Sequence, residues 1–266
     1  MFCDLSRECT WRLCGADAAG AAVDVPMPMP GDNVSALVAA GTLPDPYVGL
    51  NEKSVQWVRD QKWICRGTFS LSELPSEHIY LNLDSLDTCA TIFLNGREIG
   101  KSDNMFLRFR RWVNEFLQPG RNTIEIRFQP VLDVAGRRAA ASRFDLGCND
   151  NNAVPNLQFV RKAQCHGGWD WGICLLVSGV YGRMYLQSVP RARIEHITTE
   201  QCFSGDSAEL LVTVELESEQ EGSVPLSAEF NGERRCEEVI VQPGRSTHVF
   251  LFAVRNPKRW NPAGYG

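Results

Sequence analysis

Apolar and polar residues alternate along most of this chain. Over residues 63–71 the odd-numbered positions carry most of the large apolar side chains, with Arg66, Thr68 and Ser70 between them. Residues 79–84 and 124–128 repeat this period of two. Such alternation is typical of strands that bury one face. The pattern therefore predicts an all-β fold.

Turn residues separate these segments. Asn95-Gly96 interrupts the alternation over residues 91–99 and predicts a hairpin, because this pair tolerates the positive φ angles of a type I′ turn. Asn231-Gly232 predicts a second hairpin, and Pro119-Gly120 predicts a turn before the strand at 124–128.

The alternation stops between Val131 and Asn156. We expect a short helix over residues 131–142 and a loop over residues 148–153. Long irregular segments in compact domains are more often functional than accidental. This one leads directly into the segment 161–172, which carries the most distinctive chemistry of the chain.

After Pro190 the chain predicts a second domain. Residues 210–216, 226–230 and 249–253 alternate cleanly, and four or five strands fit before Gly266. These strands resemble the start of an immunoglobulin-like sandwich, which needs about seven strands. We therefore expect the second domain to be incomplete.

Composition excludes some classes of function. The 266 residues are 44% hydrophobic and 22% charged, with a net charge of −5. This balance argues against nucleic-acid binding, which favours clustered Lys and Arg. No apolar run is long enough to span a membrane, and we expect no signal peptide because the N-terminal residues lack a basic region followed by an apolar one.

Cysteine and histidine usage points to a reduced protein without a metal. The ten cysteines include no Cys-x-x-Cys pair, and Cys65 and Cys174 lie in apolar patterns typical of buried residues. A disulfide framework would need an oxidising compartment, so we expect a cytoplasmic location. The four histidines lack zinc-ligand spacing, and no metal or other cofactor is expected.

The segment Gly-Trp-Asp-Trp-Gly at 168–172 suits a sugar. Indole faces stack on the C–H side of a pyranose, and the Asp170 carboxylate can accept hydrogen bonds from hydroxyls. The alternative is a β-bulge whose tryptophans fill the core. In an extended segment Trp169 and Trp171 share one face and Asp170 takes the other, so all three can meet one sugar only if the loop kinks.

Several motifs together resemble the β-mannosidases of the β-galactosidase-like glycoside hydrolases, family 2. The motifs occur in that family's order and cover essentially the whole chain. They are the segments 45–52 and 55–58, 86–88, 93–96, 103–106, 161–164, 168–172, 179–181 and 260–266. Residues 165–167 and Ile173-Cys174 depart from the family pattern beside the expected sugar contact, and these departures concern fine specificity rather than fold.

The resemblance implies domains in series. It implies a jelly-roll, galactose-binding-like sandwich over residues 1–189 and an incomplete immunoglobulin-like sandwich over residues 190–266. A catalytic (β/α)8 barrel would follow, and it is absent here because about 250 residues of alternating strand and helix are not present. Family members hydrolyse terminal β-mannosides with retention, and the first domain lends a loop to the glycone pocket.

Catalytic residues are therefore not expected in this chain. Retaining glycosidases need two carboxyl groups about 5–5.5 Å apart, which in this family are barrel glutamates. Asn51-Glu52 imitates the Asn-Glu pair of such barrels, but no strand pattern precedes it. We interpret Glu52 as structural, or at most as a neighbour of the pocket.

Other residues receive weaker assignments. By resemblance Asp170, with Trp169 and Trp171, would bind the sugar; Asp45 and Asn51 are lesser pocket candidates. We expect Arg161, Lys162 and Gln164 either to brace the loop or to form a solvated basic edge. His166 is either a structural residue or a neighbour of the pocket. Three tryptophans are assigned to the sandwich core: Trp11, Trp63 and Trp112.

Three hypotheses about function follow. The first is the non-catalytic N-terminal region of a β-mannosidase, with a β-mannoside oligosaccharide and the missing barrel of the same polypeptide as partners. The second is a stand-alone carbohydrate-binding module. The third is the same region of a β-galactosidase or β-glucuronidase relative. We expect neither nucleic acid nor a membrane as a partner, and no hydrolysis by this chain alone.

Overall fold

A computed structural model describes residues 2–75, 77–147 and 154–265. The chain divides into two compact units, Met1–Ser188 and Val189–Gly266. Strands dominate both units, which confirms the predicted all-β class. Within the described ranges, no helix is long and apolar enough to cross a membrane. The loop predicted over residues 148–153 lies outside the described residues.

The first unit contains thirteen described strands and four α-helices. The strands are β1 (Phe2–Asp4), β2 (Thr10–Ala16), β3 (Ala22–Pro26), β4 (Gly31–Asp32), β5 (Trp63–Leu71), β6 (His78–Leu83), β7 (Leu86–Asp87), β8 (Ala90–Leu94), β9 (Arg97–Ser102), β10 (Phe109–Trp112), β11 (Gly120–Phe128), β12 (Gly179–Val180) and β13 (Met184–Val189). The helices are α1 (Leu5–Glu8), α2 (Asn33–Ala39), α3 (Asn51–Ser54) and α4 (Val131–Ala141). Short 3₁₀ helices occupy Gln56–Asp60, Asn114–Phe116, Leu157–Phe159 and Gln164–His166.

Two sheets enclose the main core of this unit. One has six strands in the order β3-β2-β5-β11-β8-β9, and the other has four in the order β1-β13-β6-β10. Apolar side chains from both sheets, such as Leu13, Ile126, Leu81 and Leu186, form one buried cluster. The unit is therefore a β-sandwich. A small third sheet has the order β4-β12-β7, and its central strand β12 follows the segment 168–172 in sequence.

In strand β5 of the six-stranded sheet, the alternating apolar positions are the buried ones. β5 buries every odd-numbered residue from Trp63 to Leu71, as predicted. The β8–β9 hairpin turns at Asn95 and Gly96, whose φ angles of 49° and 80° are both positive, as a type I′ turn requires.

Two of the three tryptophan assignments are confirmed. Trp11 and Trp63 are buried, at 5% and 1% exposure. The assignment of Trp112 is wrong, because its side chain is 50% exposed. Trp112 ends β10, an edge strand, where its indole Nε1 donates a hydrogen bond to Asn114 Oδ1 at 2.6 Å. An aromatic residue at a strand end can satisfy its polar atom and remain at the surface.

The segment that breaks the alternation has a small core of its own. Helix α4 matches the predicted helix closely and buries Val131, Val134 and Ala135. These residues pack with others farther along the chain, including Leu157 and Cys174. The irregular segment is therefore anchored by burial on both sides of the sugar-binding candidate.

The described residues of the second unit form five strands. These are β14 (Ala192–Ser204), β15 (Ser207–Ser218), β16 (Gly222–Phe230), β17 (Glu233–Val241) and β18 (Gly244–Arg255). They form a three-stranded sheet, β14-β15-β18, and a two-stranded sheet, β16-β17, around a core that includes Val214, Val241 and Phe250. The predicted hairpin at Asn231-Gly232 is confirmed by φ angles of 51° and 81°.

Candidate functional site

The Trp-Asp-Trp loop is kinked. Gly172 N–H donates to Trp169 O at 2.8 Å and closes a tight turn, in which Asp170 has a φ of 49°. Gly168, with a φ of 89°, bends the chain just before the turn. An antiparallel bridge between Gly167 and Cys174 joins the two ends of the loop. The geometry that would keep the carboxylate and the indoles on opposite faces of a strand is therefore absent from this loop.

The loop presents its side chains outward. Trp169 is 50% exposed, Trp171 is fully exposed, and Asp170 is exposed between them. The alternative in which both tryptophans fill the core is wrong. The tight turn leaves the three side chains exposed, and the small core that includes Cys174 is filled by aliphatic residues and Cys89 instead.

Side chains from helix α3 and the following 3₁₀ helix hold the end of the loop. Glu52 Oε1 accepts a hydrogen bond from Cys174 N at 2.8 Å, and Gln56 Nε2 donates to Cys174 O at 2.9 Å. Both backbone polar groups of one residue are thus satisfied without a neighbouring strand. Glu52 has the structural role that we expected, adjacent to the loop.

A buried ion pair lies beneath the loop. Lys162 is 2% exposed and Asp87 is fully buried, and Lys162 Nζ lies 2.5 Å from Asp87 Oδ2. Lys162 Nζ also donates to Val177 O at 2.8 Å, and the Thr88 hydroxyl donates to Asp87. The solvated-edge interpretation is therefore wrong for Lys162, which has a specific acidic partner in the core.

The polar partners of Asp87 control its ionisation. Burial opposes the charged carboxylate, but the contacts with His166, Lys162 and Thr88 outweigh it and hold the pKa of Asp87 below its usual range. A buried carboxylate that remains charged stabilises only the arrangement in which its partners surround it. The positions of Lys162 and His166 are fixed in this way.

A cavity of about 500 Å³ opens beside the base of the loop. Helix α2, the segment around Asp45, the segment 173–177 and Tyr181 form its walls, together with His166. His166 Nδ1 lies 3.4 Å from Asp87 Oδ2, and its ring meets that of Tyr181 edge-on with centroids 6.2 Å apart. Burial, with the charges of Asp32 and Asp87, raises the pKa of the Tyr181 hydroxyl, so it stays protonated.

The weaker candidates from the sequence differ in where they lie and what they contact. Asp45 lines the cavity and its Oδ1 accepts from Tyr47 N at 2.9 Å. Asn51 Nδ2 donates to Asp45 O at 2.9 Å, so Asn51 holds the backbone of that segment. Gln164 Nε2 donates to two backbone carbonyls, at 3.1 and 3.2 Å, which is a bracing role. The side chain of Arg161 is exposed.

Four residues near the site received no functional role from the sequence: Asp87, Tyr181, Asp32 and Tyr47. Asp87, Tyr181 and Tyr47 lie within motifs that carry the family resemblance, and this was the available signal. Their partners are distant in sequence, so spacing could not pair them. Among the described residues, no group of three His, Cys, Asp or Glu side chains could hold a metal ion, and nine cysteines are free thiols.

These features define a class of domain, namely a galactose-binding-like sandwich that carries an exposed loop of aromatic and acidic residues. Residues 11–182 match the glycosyl hydrolase 2 galactose-binding domain-like family. The chain belongs to this family.

The relatives with the following names are β-mannosidases. The chain is 34% identical to "Beta-mannosidase B" of Emericella nidulans and 35% identical to "Beta-mannosidase B" of Aspergillus clavatus, with 86% of the chain aligned in each case. A crystal structure of a β-D-mannosidase from Dictyoglomus thermophilum superimposes with a TM-score of 0.88 and 28% identity, over the whole chain and 33% of that protein. The chain resembles the N-terminal region of family 2 β-mannosidases.

More distant structures share the fold alone. The exo-chitosanase CsxA of Amycolatopsis orientalis matches with a TM-score of 0.68 and 15% identity. The chain spans 28% of the length of the curated relatives that it matches. An activity of the complete relatives therefore does not transfer directly to these 266 residues.

Proposed function

We propose that this chain is the non-catalytic N-terminal region of a retaining, exo-acting β-mannosidase, and that its Trp-Asp-Trp loop forms part of the glycone pocket of the complete enzyme. The observation that supports this best is the kinked loop, which presents Trp169, Asp170 and Trp171 outward from a braced base. The β-mannosidase relatives favour a β-mannoside over a β-galactoside or a β-glucuronide as the substrate.

The proposal assigns each domain a part. Residues 1–189 form the jelly-roll domain that carries the loop, and residues 190–266 belong to an immunoglobulin-like sandwich. The catalytic barrel belongs to further polypeptide and supplies the two carboxyl groups, which a retaining mechanism needs about 5–5.5 Å apart. Buried thiols such as Cys65 and Cys174 are compatible with the cytoplasmic location that we propose.

Asp170 would bind and orient the sugar. A carboxylate accepts hydrogen bonds from neighbouring hydroxyls, and an indole stacks on the C–H face of the ring. Fixing the glycone in this way lowers the entropic part of the barrier, while bond cleavage remains with the barrel. The isolated chain should therefore not hydrolyse an aryl β-mannoside.

Kinetics of the full-length protein test this role. Asp170→Asn and Trp171→Ala should each lower kcat/KM for an aryl β-mannoside by about tenfold to a hundredfold, the effect of one charge-assisted hydrogen bond or of one stacked ring. Trp112→Ala removes a half-exposed indole from an edge strand and should change kcat/KM by less than about twofold. Unchanged kinetics in both loop variants would refute the proposal.

A stand-alone carbohydrate-binding module is the second candidate. It is favoured by one observation, namely that the loop and its braces come entirely from this chain. This candidate predicts heat on titration of the isolated chain with β-mannosides, and loss of that heat in Asp170→Ala. Full-length kinetics that depend on Asp170, without binding by the isolated chain, would decide for the enzyme region.

A further inference from the structure

The cavity beside the loop has its own recognition chemistry. It is lined by residues that the proposed glycone contacts do not use, principally Asp32, Val38, His166, Val177 and Tyr181. Its volume of about 500 Å³ lies within the range of roughly 300–1,000 Å³ typical of small-molecule sites. Neither Trp169 nor Trp171 lines it.

His166 is oriented for hydrogen bonding. Its Nδ1 is buried and faces the Asp87 carboxylate at 3.4 Å. A carboxylate only accepts hydrogen bonds, so Nδ1 is the ring nitrogen that can donate toward Asp87, and Nε2 is the ring nitrogen that remains for a ligand in the cavity. Lys162 Nζ also contacts Asp87 Oδ2, at 2.5 Å. His166 therefore supplies a polar ring atom to one wall.

Other walls add complementary groups. The protonated hydroxyl of Tyr181 can donate, and Asp32, whose oxygens already accept from the Ser35 amide and hydroxyl, keeps acceptor capacity. Val38, Ile173, Leu175 and Val177 supply an apolar surface. The Tyr47 ring, 75% exposed, stands at the rim.

The charges define the class of ligand. Asp32 and Asp45 line the cavity, and neither a Lys nor an Arg is among its described lining residues. An anion would meet two carboxylates with neither a Lys nor an Arg among the described lining residues to offset them, which is unfavourable. A ligand with several hydroxyls, an apolar face and no negative charge fits these walls.

We infer that this cavity is a second sugar site, specific for a neutral pyranose and separate from the Trp-Asp-Trp loop. The site uses residues of this chain alone, so the inference goes beyond the proposed function and does not depend on a catalytic barrel. Its ligand can bind while the loop is unoccupied.

Amide chemical shifts of the isotopically labelled 266-residue chain test the inference. Titration with methyl β-D-mannopyranoside and with methyl β-D-glucopyranoside should give saturable shifts at Val38, His166 and Val177, with smaller shifts at Trp171. Glucuronate, an anionic pyranose, should give none. Tyr181→Phe should weaken binding about tenfold by removing one hydroxyl donor. Tyr265→Phe, at an exposed tyrosine, is the matched control.

A cavity-filling variant keeps the test independent of lost hydrogen bonds. Ala39 lines the cavity from the exposed end of α2, so Ala39→Phe should block the site while the chain stays folded. Absence of saturable shifts with both neutral probes would overturn the inference. So would binding that survives Ala39→Phe and Tyr181→Phe but disappears in Trp171→Ala, because the sugar would then occupy the loop. Full-length kinetics test the proposed function separately.

Discussion

Lys162 and Asp87, 75 residues apart in sequence, form an ion pair in the interior of the first unit, with Nζ 2.5 Å from Oδ2. Lys162 precedes the Trp-Asp-Trp loop, and its Nζ also donates to Val177 O, which follows the loop. One ammonium group therefore ties both sides of the loop to β7. The loop is exposed, but its supports are in the core.

Removal of this ammonium group should be strongly destabilising. Lys162→Met leaves Asp87 buried without its cation, and breaking one partner of a buried pair costs about 3–5 kcal/mol. The free energy of unfolding from urea titration measures the loss. Arg161→Met, at the exposed neighbour, should change the same free energy by less than about 0.5 kcal/mol. Equal stability in the two variants would show that the ion pair does not support the fold.

Acid should remove the contribution of Asp87. Its folded-state pKa is lowered, so its stabilisation is fully present above the unfolded value of about 3.9 and is lost as pH falls from there through the folded-state pKa. The difference in unfolding free energy between the wild type and Asp87→Asn should be constant from about pH 7 to pH 5 and should shrink at lower pH. A difference that grows on acidification would contradict the assignment.

Local patterns predict the regular part of the fold because the period-two alternation of a half-buried strand is carried by neighbouring residues. The strand at 63–71 and both Asn-Gly hairpins are of this kind. The site depends on distant contacts. Lys162 looked like a possible surface charge because Asp87 could not be paired with it by spacing.

Two further features could not be predicted from the alternation of apolar and polar residues. The kink at Asp170 depends on a tight turn, which alternation does not encode, although the need for a kink followed from strand geometry. Trp112 was assigned to the core by residue type, whereas its position on an edge strand decides its exposure. The order of strands in a sheet is set by long-range pairing.

Glu52 should control the order of the loop base. Glu52→Ala removes the acceptor of the Cys174 amide, and a lost hydrogen bond to a charged group costs about 1.5–3 kcal/mol. Amide hydrogen exchange at Cys174 and at Gly172 should accelerate accordingly, because local opening becomes easier.

The neighbouring residue Lys53 supplies the control. Its side chain is exposed, so Lys53→Ala should leave the exchange rates near the loop unchanged. Glu52→Gln keeps a neutral acceptor and should give an intermediate rate. If Glu52→Ala exchanges like the wild type, Gln56 and the small core below the loop suffice to hold Cys174.

Substitution of alanine for either of two glycines should change the free energy of unfolding in opposite directions. A Cβ at Gly179 in β12 would collide with the backbone oxygen of Gly31 and approach Asp32 Cα to 2.7 Å, so Gly179→Ala must separate β12 from β4 and should cost about 3 kcal/mol or more. A Cβ at Gly136 in α4 meets no atom within 4 Å, and Gly136→Ala should stabilise by roughly 1 kcal/mol through helix propensity. Urea unfolding of both variants measures these free energies. If Gly179→Ala were as stable as Gly136→Ala, the close approach of β4 and β12 beside the loop would not exist in solution.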